Sequence, residues 1–485
     1  MAKASRSARV RSRLKHPVID VDGHVVELTP VYVDYIAKVG GHEMAERYLN
    51  SPLVKSSYQQ SLLGTTIDER RDGGSAMTSW WFNPTKNSLD RVTSAVPRLL
   101  YERLDELGFD MTILYPSEGL YAMTIADAEV RQAVCRAYNT FAAETFDGYA
   151  DRILSVAVVP MHTPEEAVAE LEYAVNTLGH KLAVFPCHVS RPVPRFDREH
   201  PDVAGAVTRM DMLALDSEYD YDPVWQACLD LGIAPGFHGG SQGVGLRRSI
   251  SNFVFNHIGN AAASNEAMAK ALVLGGVTRR FPGLRCSFLE GGANWAYGLY
   301  SDLIGHWEKR NVNALENLDP SNIDPDALMR LVEEYASDGV RAKADAIRAY
   351  FSRELPRPDT YDDFTRIAVE DPAEFCDLFA RPFFFGCEAD DPMNAHAANT
   401  QVNPFDARIQ IVFGSDIGHW DVPDMNEVLA EAYEPVERGV MSEDAFEDFM
   451  FRNAVRLYAG ANPDFFRGTI VEGAAQTLLE GQPEG

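Results

Sequence analysis

The chain has 485 residues, 46% hydrophobic, 10% aromatic and 24% charged, the balance of an ordinary globular protein. No apolar run approaches the ~20 residues that cross a bilayer, which excludes a membrane-spanning protein. A formal charge of −28, from 44 basic and 72 acidic residues, repels phosphate backbones and excludes a nucleic-acid binder.

The charge is uneven. Lys3, Arg6, Arg9, Arg11, Arg13 and Lys15 make the N-terminus basic. No apolar core of a secretory signal follows them, and residues 1–16 are expected to be a disordered, solvated tail. Cys135, Cys187, Cys228, Cys286, Cys376 and Cys387 lie in mostly apolar contexts without CxxC spacing. They read as reduced core residues of a cytoplasmic protein.

From residue 18 onward, short β-rich runs alternate with longer helical patterns. The first strand is expected at residues 18–21. A helix over 96–107 is stopped by Gly108 and followed by a second strand at 112–115. A helix over 129–149 leads to a third strand at 154–159, and an amphipathic helix over 164–178, with Gly179 past its end, leads to a fourth at 182–185. Residues 222–231 are helical before a fifth strand at 233–237, and 263–280 before a sixth at 286–289. Residues 383–385 and 409–413 complete eight strands, and 424–460 are helical. Strands separated by helices pair in parallel, and eight such units make a (β/α)8 TIM barrel with helical insertions on the βα loops. The insertions fall at about 25–94 and 297–381, the second being the expected lid. One barrel domain is expected over 17–470, with 471–485 frayed.

Barrel chemistry gathers at the C-terminal ends of strands. The first strand ends with Asp22 and His24, two apart and so on one side of extended backbone, with Glu27 close behind. The fifth ends with His238, the sixth with Glu290, and the eighth with Asp416 and His419. Each alone reads equally well as a capping or loop residue. Metal-competent groups ending four different strands are another matter, and as a set they predict a metal site.

Asp22-x-His24, His238 and Ser415-Asp416 resemble the amidohydrolase superfamily, in the branch of aminocarboxymuconate-semialdehyde and resorcylate decarboxylases. Leu114-Tyr115-Pro116-Ser117, residues 281–285 (FPGLR) and Asn453-Ala454-x-Arg456-Leu457-Tyr458 support the resemblance, which covers most of 17–460 outside the insertions. It implies a metal held by Asp22, His24, His238 and Asp416.

The chain departs from that pattern where Glu290 stands in place of the usual histidine, and where Glu27 and His419 are added. Asp22, His24, Glu27, His238, Glu290, Asp416 and His419 are too many ligands for one tetrahedral zinc and suit two irons. With the DGHxxE start and SDxxH end, this resembles the small group of TIM-barrel non-heme diiron monooxygenases that act on acyl-CoA substrates. The resemblance implies hydroxylation of a C–H bond of a CoA-linked, terpenoid-type acid, using O2 and an external electron donor. In that reading Asp416, Glu290 and His419 are catalytic, Trp80, Trp81, Phe82, Trp295, Tyr297 and Trp307 line the pocket, and Arg70-Arg71 or Arg247-Arg248 meet the CoA phosphates. Tyr115, His188, Glu388, Asp390 and Asp391 are lesser candidates at the mouth, and a homo-oligomer is among the expected assemblies. The alternative is a hydrolase or non-oxidative decarboxylase with a single Zn2+ or Mn2+, Asp416 as base and Glu290 as acid.

Overall fold

The computed structural model describes residues 4–51, 54, 64–81, 83–241, 245–353 and 362–481. The β-rich runs become strands β1 (Ile19–Val25), β2 (Met111–Pro116), β3 (Ile153–Ser155), β4 (Ala157–Val158) and β5 (Ala183–Phe185). A hairpin, β6 (Val189–Pro192) with β7 (Thr208–Asp211), is an addition that the alternation does not announce. The barrel continues with β8 (Pro235–Phe237), β9 (Cys286–Phe288), β10 (Phe383–Glu388) and β11 (Gln410–Gly414).

β3 and β4 are one strand interrupted at Val156: the Val156 amide still donates to Leu114, and the Ala157 amide donates to Leu182 on the other side. The pairing therefore runs β11-β10-β9-β8-β5-β4 and onward through β3 to β2 and β1, all parallel. Two hydrogen bonds close the ring between its last and first strands, Asp416 N–H to Asp22 O (2.8 Å) and His24 N–H to Ile417 O (3.1 Å). The result is the eight-stranded TIM barrel.

Side-chain alternation sets what faces the interior. Phe237, Phe288 and Phe385 stack on one another and pack against Trp225, Trp295 and Phe379 of the surrounding helices. These aromatics therefore face outward, which turns Gly236, His238 and Ser287 inward. Gly236 is required there, because a Cβ would lie 2.7 Å from the Tyr115 hydroxyl.

The ends of the chain depart from expectation. Residues Arg6–Arg11 form a helix capped by Ser5, not a disordered tail. Buried Ser7 accepts from the Leu429 amide, Arg6 pairs with Glu427 and Arg11 with Asp110, so the basic residues are matched to a local acidic surface. At the other end, Glu472–Glu480 is helical with Ala475 buried, where fraying was expected. The six cysteines are free, and all but Cys376 are buried. No helix among the described residues is long and apolar enough to cross a membrane.

Among the described residues of 297–381, none lines the cleft as the expected lid would. Arg279 donates to Ile367 O and Glu374, which holds this insertion along the flank of the helix Val277–Arg280, and Trp307 donates to Val369 O within the insertion. The mouth is covered instead by residues 75–81, bound to 249–257. Met77 N–H donates to Ser249 O, and buried Asn256 donates to both Met77 O and Ser249 O.

Candidate metal centre

β1 carries Asp22 and His24 into the mouth, and both are buried. A register irregularity between Asp20 and Gly23 marks a bulge in β1, which re-aims the strand just where the two side chains stand. His238 follows β8 directly. Glu290 lies two residues beyond β9, where strict alternation would aim it outward; its left-handed backbone (φ 58°) turns it back in. Asp416, also left-handed (φ 51°), follows β11, and His419 closes the same turn by donating its amide to Asp416 O.

The expected residues converge, with one exception. His24 Nε2 lies 3.6 Å from Asp22 Oδ1 and 3.3 Å from Asp416 Oδ1. His238 Nε2 lies 3.4 Å from Asp22 Oδ1 and 3.2 Å from Glu290 Oε2. His419 Nδ1 lies 2.6 Å from Asp416 Oδ1, and its ring stacks on His24 at 3.7 Å between centroids. Two groupings have ligand atoms close enough to share an ion: Asp22, His24 and His238, and His24, Asp416 and His419.

Glu27 is the exception, and the structure corrects its place. Its oxygens accept from the amides of Ser117 (3.2 Å), Glu118 (2.9 Å) and Gly119 (2.9 Å), opening the short helix Glu118–Ala122. The carboxylate is spent on the backbone of the β2 loop, with its pKa raised to about 7 by burial and by Glu118.

The electrostatics are those of a crowd of buried groups. Burial, with the neighbouring imidazoles, holds His24 and His419 well below the usual histidine range. Burial alone would also depress His238, but Asp22 and Glu290 outweigh it and its pKa is raised. Burial and the neighbouring carboxylates push Glu290, Asp416 and Glu388 up, Glu388 to about 8. Asp22 Oδ1, both nitrogens of His24 and of His238, and Asp416 Oδ2 have no hydrogen-bond partner among the described residues. Buried polar atoms are rarely left so, and a divalent cation would take Asp22 Oδ1 and one nitrogen each of His24 and His238. The donor set therefore fits a metal.

Several supporting residues carry no signal in the sequence. Asp20, one layer below, accepts from Thr112, Ser415 and the Asp22 amide. Ser117 Oγ is 3.2 Å from His419 Nε2. Asp421, at the mouth, lies 3.9 Å from His257 Nε2. The Asp-x-Asp spacing on β1 was the available clue to Asp20, and Ser117 appeared only as the end of the Leu114-Tyr115-Pro116-Ser117 segment, with no role assigned.

The cleft above the cluster has a cavity volume of about 100 Å3, opens to solvent, and is walled by Trp80, Leu120, Tyr121, Met123 and His188. Among the described residues none of its wall comes from 297–381. Trp80 meets His419 edge-on at 4.6 Å, as expected of a pocket aromatic. Trp81 instead packs on Phe253, Trp295 and Tyr297 are partly buried against the core, Trp307 donates to Val369 O, and Phe82 lies outside the described residues. Tyr115 is buried and stacks on the His238 ring at 5.3 Å. The arginine pairs expected to meet CoA phosphates are engaged elsewhere: Arg70 on Ile250 O, Arg71 on Asp68, Arg247 on Ile258 O and Arg248 on Gly74 O. Arg70 and Arg248 thereby join the segments 64–81 and 245–258.

Comparison with known proteins agrees with this geometry. A family model described as amidohydrolase matches residues 19–343, more than half of the chain. A solved amidohydrolase from Mycobacterium avium subsp. paratuberculosis superposes with a TM-score of 0.51 at 18% identity, covering 92% of this chain and 100% of its own. The 5-carboxyvanillate decarboxylase of Novosphingobium aromaticivorans, solved with manganese and 4-hydroxy-3-methoxy-5-nitrobenzoic acid, gives 0.50 at 13% identity, covering 92% and 97%. Both are similar in fold.

Proposed function

The chain belongs to the amidohydrolase family, and from that premise we propose that it is a divalent-metal enzyme that hydrolyses or non-oxidatively decarboxylates a small molecule, with one Mn2+ or Zn2+ held by Asp22, His24, His238 and Asp416. The observation that carries this reading is the meeting of buried metal-competent atoms from three strand ends, those of β1, β8 and β11, with no hydrogen-bond partner among the described residues. When bound, the ion supplies Lewis-acid polarisation of the substrate group it contacts.

The chain's own residues supply the rest. Glu290, 3.2 Å from His238, is the group that delivers a proton as acid. Asp416 orients His419 through Nδ1, which turns Nε2 toward Ser117 and the cleft. Trp80, Leu120, Tyr121 and Met123 exclude water and seat an apolar substrate body. His188, on the same wall, is a substrate contact.

A second reading, the dinuclear iron oxygenase acting on an acyl-CoA, is favoured by one observation: Glu290 lies 3.2 Å from His238 and so extends the ligand set beyond four. Metal analysis of the purified protein separates the two. One ion per chain, retained in Glu290→Ala while turnover is lost, supports the hydrolase or decarboxylase. Two ions falling to one in Glu290→Ala, with reductant-dependent O2 uptake, supports the oxygenase. Protein that binds no divalent ion refutes both.

A further inference from the structure

We propose that Asp20, which offers no atom to the ion, is the positioning residue that sets the paths of both ligand carboxylates, Asp22 and Asp416. This rests on the metal reading of the site. Asp20 is fully buried, one turn of the pleat below Asp22. Its Oδ1 accepts the Asp22 amide (3.2 Å) and the Ser415 amide (2.9 Å); its Oδ2 accepts the hydroxyls of Thr112 (2.6 Å) and Ser415 (2.7 Å).

These amides stand at two exceptional points of the backbone. On β1, Asp20 pairs with Thr112 and the next pairing is Gly23 with Leu114, so the bulge takes the Asp22 N–H out of the ladder. At the other end of the sheet, β11 stops at Gly414, and Ser415 N–H begins the turn that carries left-handed Asp416. One carboxylate thus receives the orphan N–H of the first ligand and that of the residue preceding the second. It does so beneath the Asp416-to-Asp22 hydrogen bond that closes the barrel. Gly23 leaves the room: a Cβ there would lie 2.7 Å from Asp20 Oδ2. Without Asp20, two buried amides lose their acceptor and both ligand-bearing turns lose their anchor.

The test is Mn2+ binding to chelator-treated full-length protein, followed by calorimetry, with thermal unfolding of the metal-free form alongside. Asp20→Ala is expected to weaken Mn2+ binding by about 10- to 100-fold, as loss of an outer hydrogen-bonding partner does. Asp20→Asn keeps one oxygen for both amides and an NH2 for the two hydroxyls, and is expected to restore binding to within about threefold of wild type. If Asp20→Ala does not fold, Thr112→Val with Ser415→Ala removes both hydroxyl donors, leaves every ligand in place, and carries an expected weakening of about tenfold. Folded variants that bind Mn2+ as tightly as wild type, whatever their thermal stability, overturn the proposal. So does Asp20→Asn binding as weakly as Asp20→Ala, which would make the effect one of charge alone. Wild-type protein that binds no Mn2+, Zn2+ or Fe2+ overturns the metal reading itself, and this inference with it.

Discussion

Glu27→Ala separates a ligand from a helix anchor. The carboxylate receives three backbone amides at the start of Glu118–Ala122, and Glu27 and Gly119 are buried. A buried donor left without acceptor costs about 1–3 kcal/mol, so three cost about 3–9 kcal/mol. Water entering the space vacated by the side chain favours the lower end, about 3 kcal/mol. Glu27→Gln keeps one oxygen, but its NH2 must face an N–H, which leaves one donor unsatisfied at about 1–2 kcal/mol. The expected order of stability is wild type, Gln, Ala, read from urea midpoints at constant slope. Metal content, measured by elemental analysis on the same folded samples, is expected to be equal in all three. A drop in metal per chain in Glu27→Ala at unchanged stability would refute the reasoning and return Glu27 to the ligand set.

Two further perturbations probe the cleft and the barrel wall. Trp80→Ala removes an apolar wall facing His419 and is expected to raise KM about tenfold, the worth of half an aromatic contact, with metal content and kcat little changed; an unchanged KM would show that substrate does not touch it. His162, pressed by burial and then by Arg131 and Arg191, has a pKa lowered from 6.5 to about 3. Between those values the unfolded chain binds a proton that the folded one refuses, so stability is full above pH 6.5 and falls by about 2 kcal/mol at pH 5. His162→Gln is expected to flatten that slope in denaturant titrations at pH 5 and 7; an undiminished slope assigns it to other groups.

The barrel was legible because periodicity and punctuation agree. The helix Pro97–Leu107 ends where Gly108 takes its left-handed cap (φ 84°), and Gly179 does the same after Pro164–Asn176. Asp22, His24 and His238 were legible because extended backbone aims alternate residues alike. Glu290 was named from its place after a strand, yet it reaches the site only through a left-handed turn that periodicity cannot express. Glu27 went the other way: its short separation from His24 suggested reach, but three amides 90 residues or more along the chain claimed it first. The N-terminal helix was missed because its partners, Glu427 and Asp110, are remote in sequence. The lid was misplaced for a related reason, since a long helical insertion on a loop says nothing of which way it folds back.

The proposed single ion is consistent with how the ligands are shared. Both three-residue groupings contain His24, and both its carboxylate neighbours, Asp22 and Asp416, face the same atom, Nε2. An imidazole nitrogen has one lone pair in the ring plane and binds one ion, so the two groupings cannot be complete at once. An ion that takes His24 can draw on Asp22, His238 and Asp416 as well, and four such ligands leave room for substrate on a five- or six-coordinate ion such as Mn2+. A second ion would then have Glu290 and His419, on opposite sides of the cluster, and would need carboxylates that bridge. Glu27, which would have completed such a pair, is bound to the β2 loop. In the proposed single-ion site His419 and Glu290 are not ligands; they stand beside Asp416 and His238 and are the groups proposed to move a proton.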